Sequence, residues 1–192
     1  MRLFVALAIS EDARENLSAL ITELRRAEPQ ARWSNPKNLH ITLKFIGEVP
    51  LENAGTICAA LATVRTAQAV DVEFGGIGFF PDAQRPSVAW VAVESSKNLA
   101  LLADEVNRVL TPLGIIREEK PFVPHLTIAR CKGARTSPAL LTEIEKSKEK
   151  KFGAFQSREF HLMESKLKST GAEYTTLRSF RFTPEEREGY EP

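Results

Sequence analysis

Two short segments of the chain each place a histidine two residues before a threonine. The first, residues 40–45, has the sequence HITLKF, and the second, residues 125–130, has the sequence HLTIAR. Together they use two of the three histidines in the chain. A single His-x-Thr segment is common in proteins, but two copies with matching aliphatic residues rarely arise by chance. We therefore expect one site to be built from both segments.

The residue types favour acid–base chemistry on a phosphate. The ordinary pKa of histidine is about 6.5, so near neutral pH one imidazole can accept a proton while the other donates one. A threonine hydroxyl is a neutral donor that can hydrogen-bond the non-bridging oxygens of a phosphodiester as charge develops on them. The pattern predicts phosphodiester hydrolysis, with His40 and His125 as the catalytic pair and Thr42 and Thr127 as phosphate-binding residues.

Strand geometry predicts which side chains share a face. Alternate residues of a strand point to opposite sides, so His40 and Thr42 lie together while the aliphatic residues between them enter a core. By the same alternation, Lys44 joins the face of His40 and Phe45 turns into the core. Arg130 falls on the aliphatic face of its own segment unless the strand twists or ends there.

The two segments fit two facing lobes better than two neighbouring strands. Each imidazole must reach a different phosphate oxygen, which requires ring nitrogens about 5–7 Å apart. Directly opposed residues on paired strands have Cβ atoms only about 5 Å apart. We therefore expect a cleft between two lobes, with one segment on each wall.

Two other functions could use the same residues. A nucleotide-binding or RNA-end-binding module could keep the cleft without turnover, although both histidines and both threonines are present. A metal-dependent phosphoesterase could use the histidines as ligands, but no Asp or Glu lies beside either segment at metal-ligand spacing. We therefore expect no metal and no cofactor.

The composition limits the function classes. The chain has 192 residues, with 26 basic and 25 acidic side chains and a formal net charge of +1. Proteins that hold long nucleic acids by bulk electrostatics are far more basic, so phosphate contacts must be local. Cys58 and Cys131 cannot form a disulfide framework, and no apolar run approaches the roughly 20 residues that cross a bilayer. We expect a cytoplasmic monomer that does not bind membranes.

Apolar spacing predicts the elements that position the two segments. Continuous or alternating apolar runs favour strands at residues 3–9, 31–33, 40–46, 70–74, 87–93, 125–131, 160–168 and 174–182. Helical spacing favours helices over residues 11–27, 51–65, 96–110 and 138–150, and the glycine-rich residues 75–81 are expected to form a loop. Strands and helices do not alternate evenly, so we expect an α+β fold rather than a doubly wound parallel sheet. Residues 1–183 would form one domain and the acidic residues 184–192 a frayed tail.

The two segments resemble the paired motifs of the 2H phosphoesterase superfamily, which is named for its two His-x-Thr/Ser motifs. Within it, the chain is similar to the RNA 2′,3′-cyclic phosphodiesterases, also called the 2′-5′ RNA ligase family, over nearly its whole length. The likeness extends to residues outside the motifs: Arg32–Leu39, Gly78–Pro81, Arg85–Trp90, Pro121–Pro124 and Glu164–Leu167.

The resemblance implies a bilobal fold with pseudo-twofold symmetry, in which two antiparallel sheets face a central cleft and helices pack on the outside. It implies metal-independent hydrolysis of RNA 2′,3′-cyclic phosphate ends, or of nucleoside 2′,3′-cyclic phosphates, to 2′-phosphomonoesters. It also implies that RNA ends can be joined without ATP through a 2′-5′ linkage, the reverse reaction, in which a ribose hydroxyl replaces water.

Carried over residue by residue, the resemblance also implies roles for the site residues. His40 would donate a proton to the departing 3′-oxygen, and His125 would accept a proton from water. Thr42 and Thr127 would hold the phosphate. Arg130 matches an arginine that follows the second motif and could neutralise phosphate charge.

Three further residues are candidates for contact with the ligand. Phe79 or Phe80 could stack on a base, or could instead pack between the lobes. Lys44 could reach a phosphate, although a solvated lysine at the rim of the cleft is the simpler interpretation.

Overall fold

The structure, a computed structural model, describes residues 1–65, 69–118, 120–131, 136–169 and 171–182. In these residues the chain forms nine strands, four α-helices and two 3₁₀ turns, at Pro36–Asn38 and Thr111–Leu113. In chain order the larger elements are β1 (Arg2–Ala8), α1 (Glu11–Ala27), β2 (Arg32–Trp33), β3 (His40–Glu48), α2 (Asn53–Leu61), β4 (Val70–Phe80), β5 (Val88–Ser95), α3 (Lys97–Leu110), β6 (His125–Arg130), α4 (Pro138–Lys146), β7 (Lys151–Ser157), β8 (Glu159–Lys168) and β9 (Gly171–Arg181).

The two sheets repeat one arrangement. The first sheet has the strand order β3-β1-β8-β9 and the second has the order β2-β6-β5-β4-β7, with antiparallel pairing between all neighbours. The run β3-β1-β8-β9 corresponds to the run β6-β5-β4-β7, so the two His-x-Thr segments begin equivalent strands. The predicted α+β fold with two antiparallel sheets is confirmed.

Helix α1 begins and ends where the sequence predicts. The Ser10 hydroxyl accepts a hydrogen bond from the backbone N–H of Ala13, at 3.3 Å, and Glu11 and Asp12 lie in the first turn, where the helix dipole favours negative charge. Leucines at helical spacing, beginning with Leu17, are buried on one side. The helix is therefore determined by its own residues as well as by packing.

One continuous hydrophobic core joins the two sheets. Leu3, Val5 and Leu7 of β1 belong to it, as do Leu126 and Ile128 of β6. Helix α3 follows β5 of the second sheet but also packs against β3 of the first, and α1 follows β1 of the first sheet but packs against β7 of the second. Because helices cross between the sheets, the two lobes share one core.

The glycine-rich residues 75–80 continue β4, so the prediction of a loop there is wrong. Gly76 takes a left-handed φ of 69° at the point where the register between β4 and β5 shifts. A Cβ on Gly78 would lie 2.2 Å from the indole of Trp90 on the neighbouring strand. Gly76 therefore permits a bulge, and Gly78 permits the close approach of Trp90. Glycine within a strand is commonly found at both kinds of position.

The structure also differs from the prediction after residue 137. Helix α4 ends at Lys146, short of the predicted residue 150, and an unpredicted strand, β7, pairs with β4 at the edge of the second sheet. The predicted tail at residues 184–192 lies outside the described residues. Among the helices of the described ranges, none combines the length and apolar character that a membrane crossing needs.

Candidate active site

The strands that carry the two His-x-Thr segments, β3 and β6, contact each other although they belong to different sheets. Both segments show the same order of exposure: half-buried, buried, half-buried, buried, buried, exposed. The half-buried positions are the histidines and threonines, and the aliphatic residues after each of them lie in the core. Each sheet thus presents an imidazole and a hydroxyl on the face that turns away from the core.

Both strands contain a β-bulge at the same place in the motif. Against β1, Lys44 and Thr42 pair with consecutive residues, so Leu43 is the extra residue of β3. Against β5, Ala129 and Thr127 likewise pair with consecutive residues, so Ile128 is the extra residue of β6. A bulge puts two successive residues on one side and reverses the alternation beyond it.

In β3 the bulge overturns the predicted faces of Lys44 and Phe45. Lys44 is 2% exposed, and its Nζ donates a hydrogen bond of 2.6 Å to the backbone oxygen of Ile116 and lies 3.8 Å from the Glu118 carboxylate. Phe45, predicted to enter the core, is 56% exposed. Lys44 is therefore buried on the side of β3 opposite His40, and Phe45 lies on the same side as His40.

In β6 the same bulge moves Arg130. Ala129 is buried in the core and Arg130 is exposed, so the alternation beyond the bulge returns Arg130 to the side of His125 and Thr127. The face predicted from simple alternation was the opposite one. Arg130 thus lies on the same side of its sheet as the other predicted site residues of the second segment.

The two histidines are held in the same way. The Nδ1 of His40 lies 2.7 Å from the backbone oxygen of Asn38, and the Nδ1 of His125 lies 2.8 Å from the backbone oxygen of Val123. In each case the carbonyl belongs to the residue two positions earlier. A carbonyl can only accept, so Nδ1 carries the proton and Nε2 is the nitrogen left to exchange one.

Two aromatic rings pack against each histidine. The ring centroids of Phe4 and Tyr174 lie 4.9 and 5.2 Å from that of His40, and those of Phe80 and Trp90 lie 5.1 and 6.5 Å from that of His125. Phe80 is one of the two aromatic residues predicted near the site, whereas Phe79 packs against the core. Phe4 and Tyr174 were not predicted from the sequence, because strands distant in the chain bring them to His40.

The electrostatics of the site distinguish His40. Burial lowers the pKa of His40, the hydrogen bond to Asn38 raises it, and the charge of His125 lowers it further. The free site therefore favours the neutral form of His40. The two rings stand on β3 and β6, strands of different sheets that contact each other.

The profile of the 2′-5′ RNA ligase superfamily matches residues 11–168. The chain belongs to this superfamily. A relative from Archaeoglobus fulgidus, named RNA 2′,3′-cyclic phosphodiesterase, is 37% identical over 180 residues, which cover 94% of this chain and 99% of the relative. A relative of the same name from Aeropyrum pernix is 39% identical over 142 residues, which cover 73% of this chain and 80% of the relative.

Solved structures share the fold of this superfamily member. The crystal structure of TT0787 of Thermus thermophilus aligns with a TM-score of 0.76 at 29% identity and covers 96% of this chain and 100% of that one. E. coli LigT complexed with 3′-AMP also aligns with a TM-score of 0.76, at 22% identity, and the alignment covers 95% of this chain and 98% of that one.

A short strand links the two motifs of this superfamily member. Ser34, just after β2, donates its backbone N–H to the oxygen of Ile128, at 2.8 Å, and its hydroxyl to the oxygen of Thr127, at 3.2 Å. The chain then needs only residues 35–39 to reach His40 on the other sheet. The residues that lead into the first motif are thus attached to the second.

The third histidine is not part of this arrangement. His161 is buried on β8, its Nδ1 lies 2.9 Å from the hydroxyl of Ser179, and its Nε2 lies 3.9 Å from the Glu159 carboxylate. These contacts give it a structural role in the first sheet. Within the described residues, no three His, Cys, Asp or Glu side chains gather into a group that could hold a metal ion.

Proposed function

We propose that this protein hydrolyses RNA 2′,3′-cyclic phosphate ends to 2′-phosphomonoesters by two-histidine acid–base catalysis without a metal. The observation that carries the proposal is the matched pair of imidazoles. Each has its Nδ1 bonded to a carbonyl two residues earlier, each belongs to a different sheet, and the charge of one acts on the other. The name that the relatives share, RNA 2′,3′-cyclic phosphodiesterase, supports the same substrate class.

The proposed reaction assigns one proton transfer to each histidine. The Nε2 of His125 accepts a proton from water as the water oxygen forms its bond to phosphorus. The bond from phosphorus to the ribose 3′-oxygen breaks, and the protonated Nε2 of His40 donates its proton to that oxygen. The products are a 2′-phosphomonoester and a free 3′-hydroxyl, and proton exchange with solvent restores the starting state.

The lowered pKa of His40 is compatible with its role as donor because the substrate is an anion. Burial and the charge of His125 favour neutral His40 in the free protein. A phosphate placed between the two rings favours the charged form of His40, so its pKa rises on binding. In this proposal the substrate itself promotes protonation of the residue that must donate.

The remaining predicted residues bind the ligand. Thr42 and Thr127 lie half-buried on the sides of their strands that carry the histidines, where their hydroxyls can donate to non-bridging oxygens. Arg130 supplies positive charge on the same side of β6. Phe45, exposed beside the first motif, offers a ring on which a base can stack.

The same site can run the joining reaction. A ribose hydroxyl of a second RNA end would take the place of water, lose its proton to His125 and form a 2′-5′ phosphodiester while His40 protonates the 3′-oxygen. The cyclic phosphate supplies the energy for the new bond, so ATP is not needed. Incubation of RNAs that carry 2′,3′-cyclic phosphate and 5′-hydroxyl ends, without ATP, tests this by the appearance of a 2′-5′ linkage.

Incubation with a nucleoside 2′,3′-cyclic phosphate in the presence of EDTA tests the hydrolytic function. We expect chelator-resistant release of the nucleoside 2′-phosphate and no 3′-phosphate. Tight binding without turnover would instead identify a binding module. Turnover that EDTA abolishes and a divalent metal restores would contradict the metal-independent mechanism.

A further inference from the structure

The end of the β8–β9 hairpin meets the residues that hold His40. The Asn38 side-chain amide donates a hydrogen bond of 2.7 Å to the backbone oxygen of Ala172 on β9. Two residues later on the same strand, the ring of Tyr174 lies edge-on to His40, with centroids 5.2 Å apart, and 5.1 Å from Phe4. The hairpin thus contacts His40 directly through Tyr174 and indirectly through Ala172, which is bonded to Asn38.

These contacts require the hairpin to bend over the open face of the first sheet. Tyr174 pairs with Ser165, which pairs with Arg2 at the start of β1, whereas His40 pairs with Ala8 at the other end of β1. A flat sheet would keep Tyr174 and His40 about the length of β1 apart. Because the two rings nevertheless contact each other, the first sheet must be strongly twisted between them.

Asn38 is the residue through which the hairpin can act on His40. Its backbone oxygen receives the Nδ1 proton of His40, and its side chain holds Ala172. The backbone N–H of Asn38 donates to the oxygen of Asn35, at 2.8 Å, within the 3₁₀ turn. The peptide that fixes the tautomer of His40 is therefore anchored from the hairpin on one side and from the turn on the other.

The second motif lacks such an anchor. The residue equivalent to Asn38 is Val123, whose backbone oxygen receives the Nδ1 proton of His125. Its side chain is apolar and 51% exposed, so it cannot donate a hydrogen bond. The pseudo-twofold site is thus asymmetric: Asn38 bonds a hairpin through its side chain, whereas Val123, its equivalent in the second motif, cannot do so.

We infer that Asn38 is a positioning residue and that the end of the β8–β9 hairpin, through Ala172 and Tyr174, orients His40 for proton transfer. This inference rests on the proposed function for its effect on catalysis. Its structural content, the orientation and tautomer of His40, stands apart from any substrate and can be measured separately.

Replacement of Asn38 tests the inference. Asn38→Leu keeps a side chain of similar size but removes the donor to Ala172, and Asn38→Ala removes the side chain altogether. We expect kcat for a nucleoside 2′,3′-cyclic phosphate to fall about 10- to 100-fold in both, because small misplacement of a catalytic group has effects of that size. KM should change less than about threefold, because the Asn38 side-chain amide is bonded to Ala172 and the phosphate is assigned to other residues. Leu167→Ala, an exposed side chain opposite Ala172 on the same hairpin, is the matched control and should leave both constants unchanged.

Nitrogen NMR of the imidazole rings gives the readout that separates positioning from general destabilisation. We expect the wild-type His40 to hold its proton on Nδ1 when neutral, and the Asn38 variants to populate both tautomers. The pKa of His40 should also fall in the variants, because the backbone oxygen of residue 38, no longer anchored by the bond to Ala172, moves away from Nδ1 and weakens the backbone hydrogen bond that raises this pKa. Unchanged tautomer and pKa in folded variants would overturn the inference, even if kcat fell.

Two further outcomes are distinguishable. If the wild-type protein does not turn over cyclic phosphates, the proposed function fails, and the tautomer of His40 in the variants still decides the positioning role. If the Asn38 variants do not fold, the test is the rate at which the Asn38 side-chain amide protons of the wild-type protein exchange with solvent. Exchange slower than that of a free amide supports the bond to Ala172. Exchange at the rate of a free amide overturns the inference.

Discussion

The tautomer of each motif histidine is determined by a carbonyl of its own segment. Asn38 and Val123 occupy the same position relative to His40 and His125, and both accept the Nδ1 proton. An imidazole that has committed Nδ1 to the backbone can exchange protons only through Nε2. The two residues therefore have the same tautomer, and the different roles proposed for them must come from their surroundings.

Removal of either imidazole should abolish most of the activity. We expect His40→Ala and His125→Ala each to lower kcat about 10²- to 10⁴-fold, the usual contribution of a positioned acid or base. Circular dichroism should show both variants folded, because each ring is only half-buried. His161→Gln is the control: it should lower the melting temperature, since His161 is buried, and change kcat less than twofold. An unchanged rate for either alanine variant would contradict the assigned roles.

Binding of an anionic product should raise the pKa of His40. Burial and the charge of His125 lower this pKa in the free protein, and a phosphate beside the ring stabilises the imidazolium. We expect the NMR titration of His40 to move to higher pH when a nucleoside 2′-phosphate is added. A titration that stays in place or moves to lower pH would mean that the phosphate does not lie beside His40.

At the scale of the elements, the paired bulges decide what the two motif strands present. Without them, Lys44 would lie beside His40 and Arg130 would turn into the core. With them, Leu43 and Lys44 are both buried, as are Ile128 and Ala129, and the next residue of each strand is exposed. The bulges thus place Phe45 and Arg130 at equivalent points of the two halves.

Because Lys44 is buried and Arg130 lies on the side of the motif residues, their replacement should affect different properties of the protein. Lys44→Ala should lower the free energy of unfolding by about 1–3 kcal/mol, because the buried Lys44 side chain loses its packing and its bond to Ile116. It should leave KM unchanged. Arg130→Ala should raise KM about 10-fold or more, the loss of a charge-assisted hydrogen bond, and leave the melting temperature unchanged. Denaturant titration and steady-state kinetics measure both. A raised KM for Lys44→Ala together with lower stability for Arg130→Ala would contradict the sheet faces on which the bulges place these residues.

At the scale of the whole molecule, the candidate site depends on a fixed distance and orientation between the two sheets. The shared core and the packing of α1 and α3 across both sheets fix that geometry. The bonds from Ser34 to β6 add a direct link between the two motifs. The proposed mechanism needs this rigidity, since a small change in the separation of the two imidazoles would break one of the two proton transfers.

The shared core predicts that both sheets unfold together. We expect the best-protected backbone amides of β1 and β5 to exchange with the same free energy, because exchange from a cooperative unit reports one global opening. Native-state hydrogen exchange at increasing denaturant measures it. A lower free energy for one sheet would mean that the lobes open separately and that the site is broken before the protein unfolds.

Much of the fold could be predicted from local sequence. Helix α1 matches its predicted bounds because its cap, its first-turn acids and its apolar spacing all lie within the helix. The strands at both motifs begin at the predicted histidines. The missed elements are those whose residues have other common uses: glycines in β4 that resemble a loop, and the edge strand β7, which has little apolar alternation.

By itself, the sequence determined the residue types of the candidate site, since the repeated His-x-Thr segments and their aliphatic anchors are local, and these residue types predict acid–base chemistry. Only the tertiary structure decided which face Lys44, Phe45 and Arg130 occupy, because a bulge exists only relative to the register of a partner strand. It also decided that Phe4 and Tyr174 meet at His40, because these rings come from β1 and β9, and Tyr174 lies more than 130 residues further along the chain than His40. Alternation along one strand contains neither kind of information.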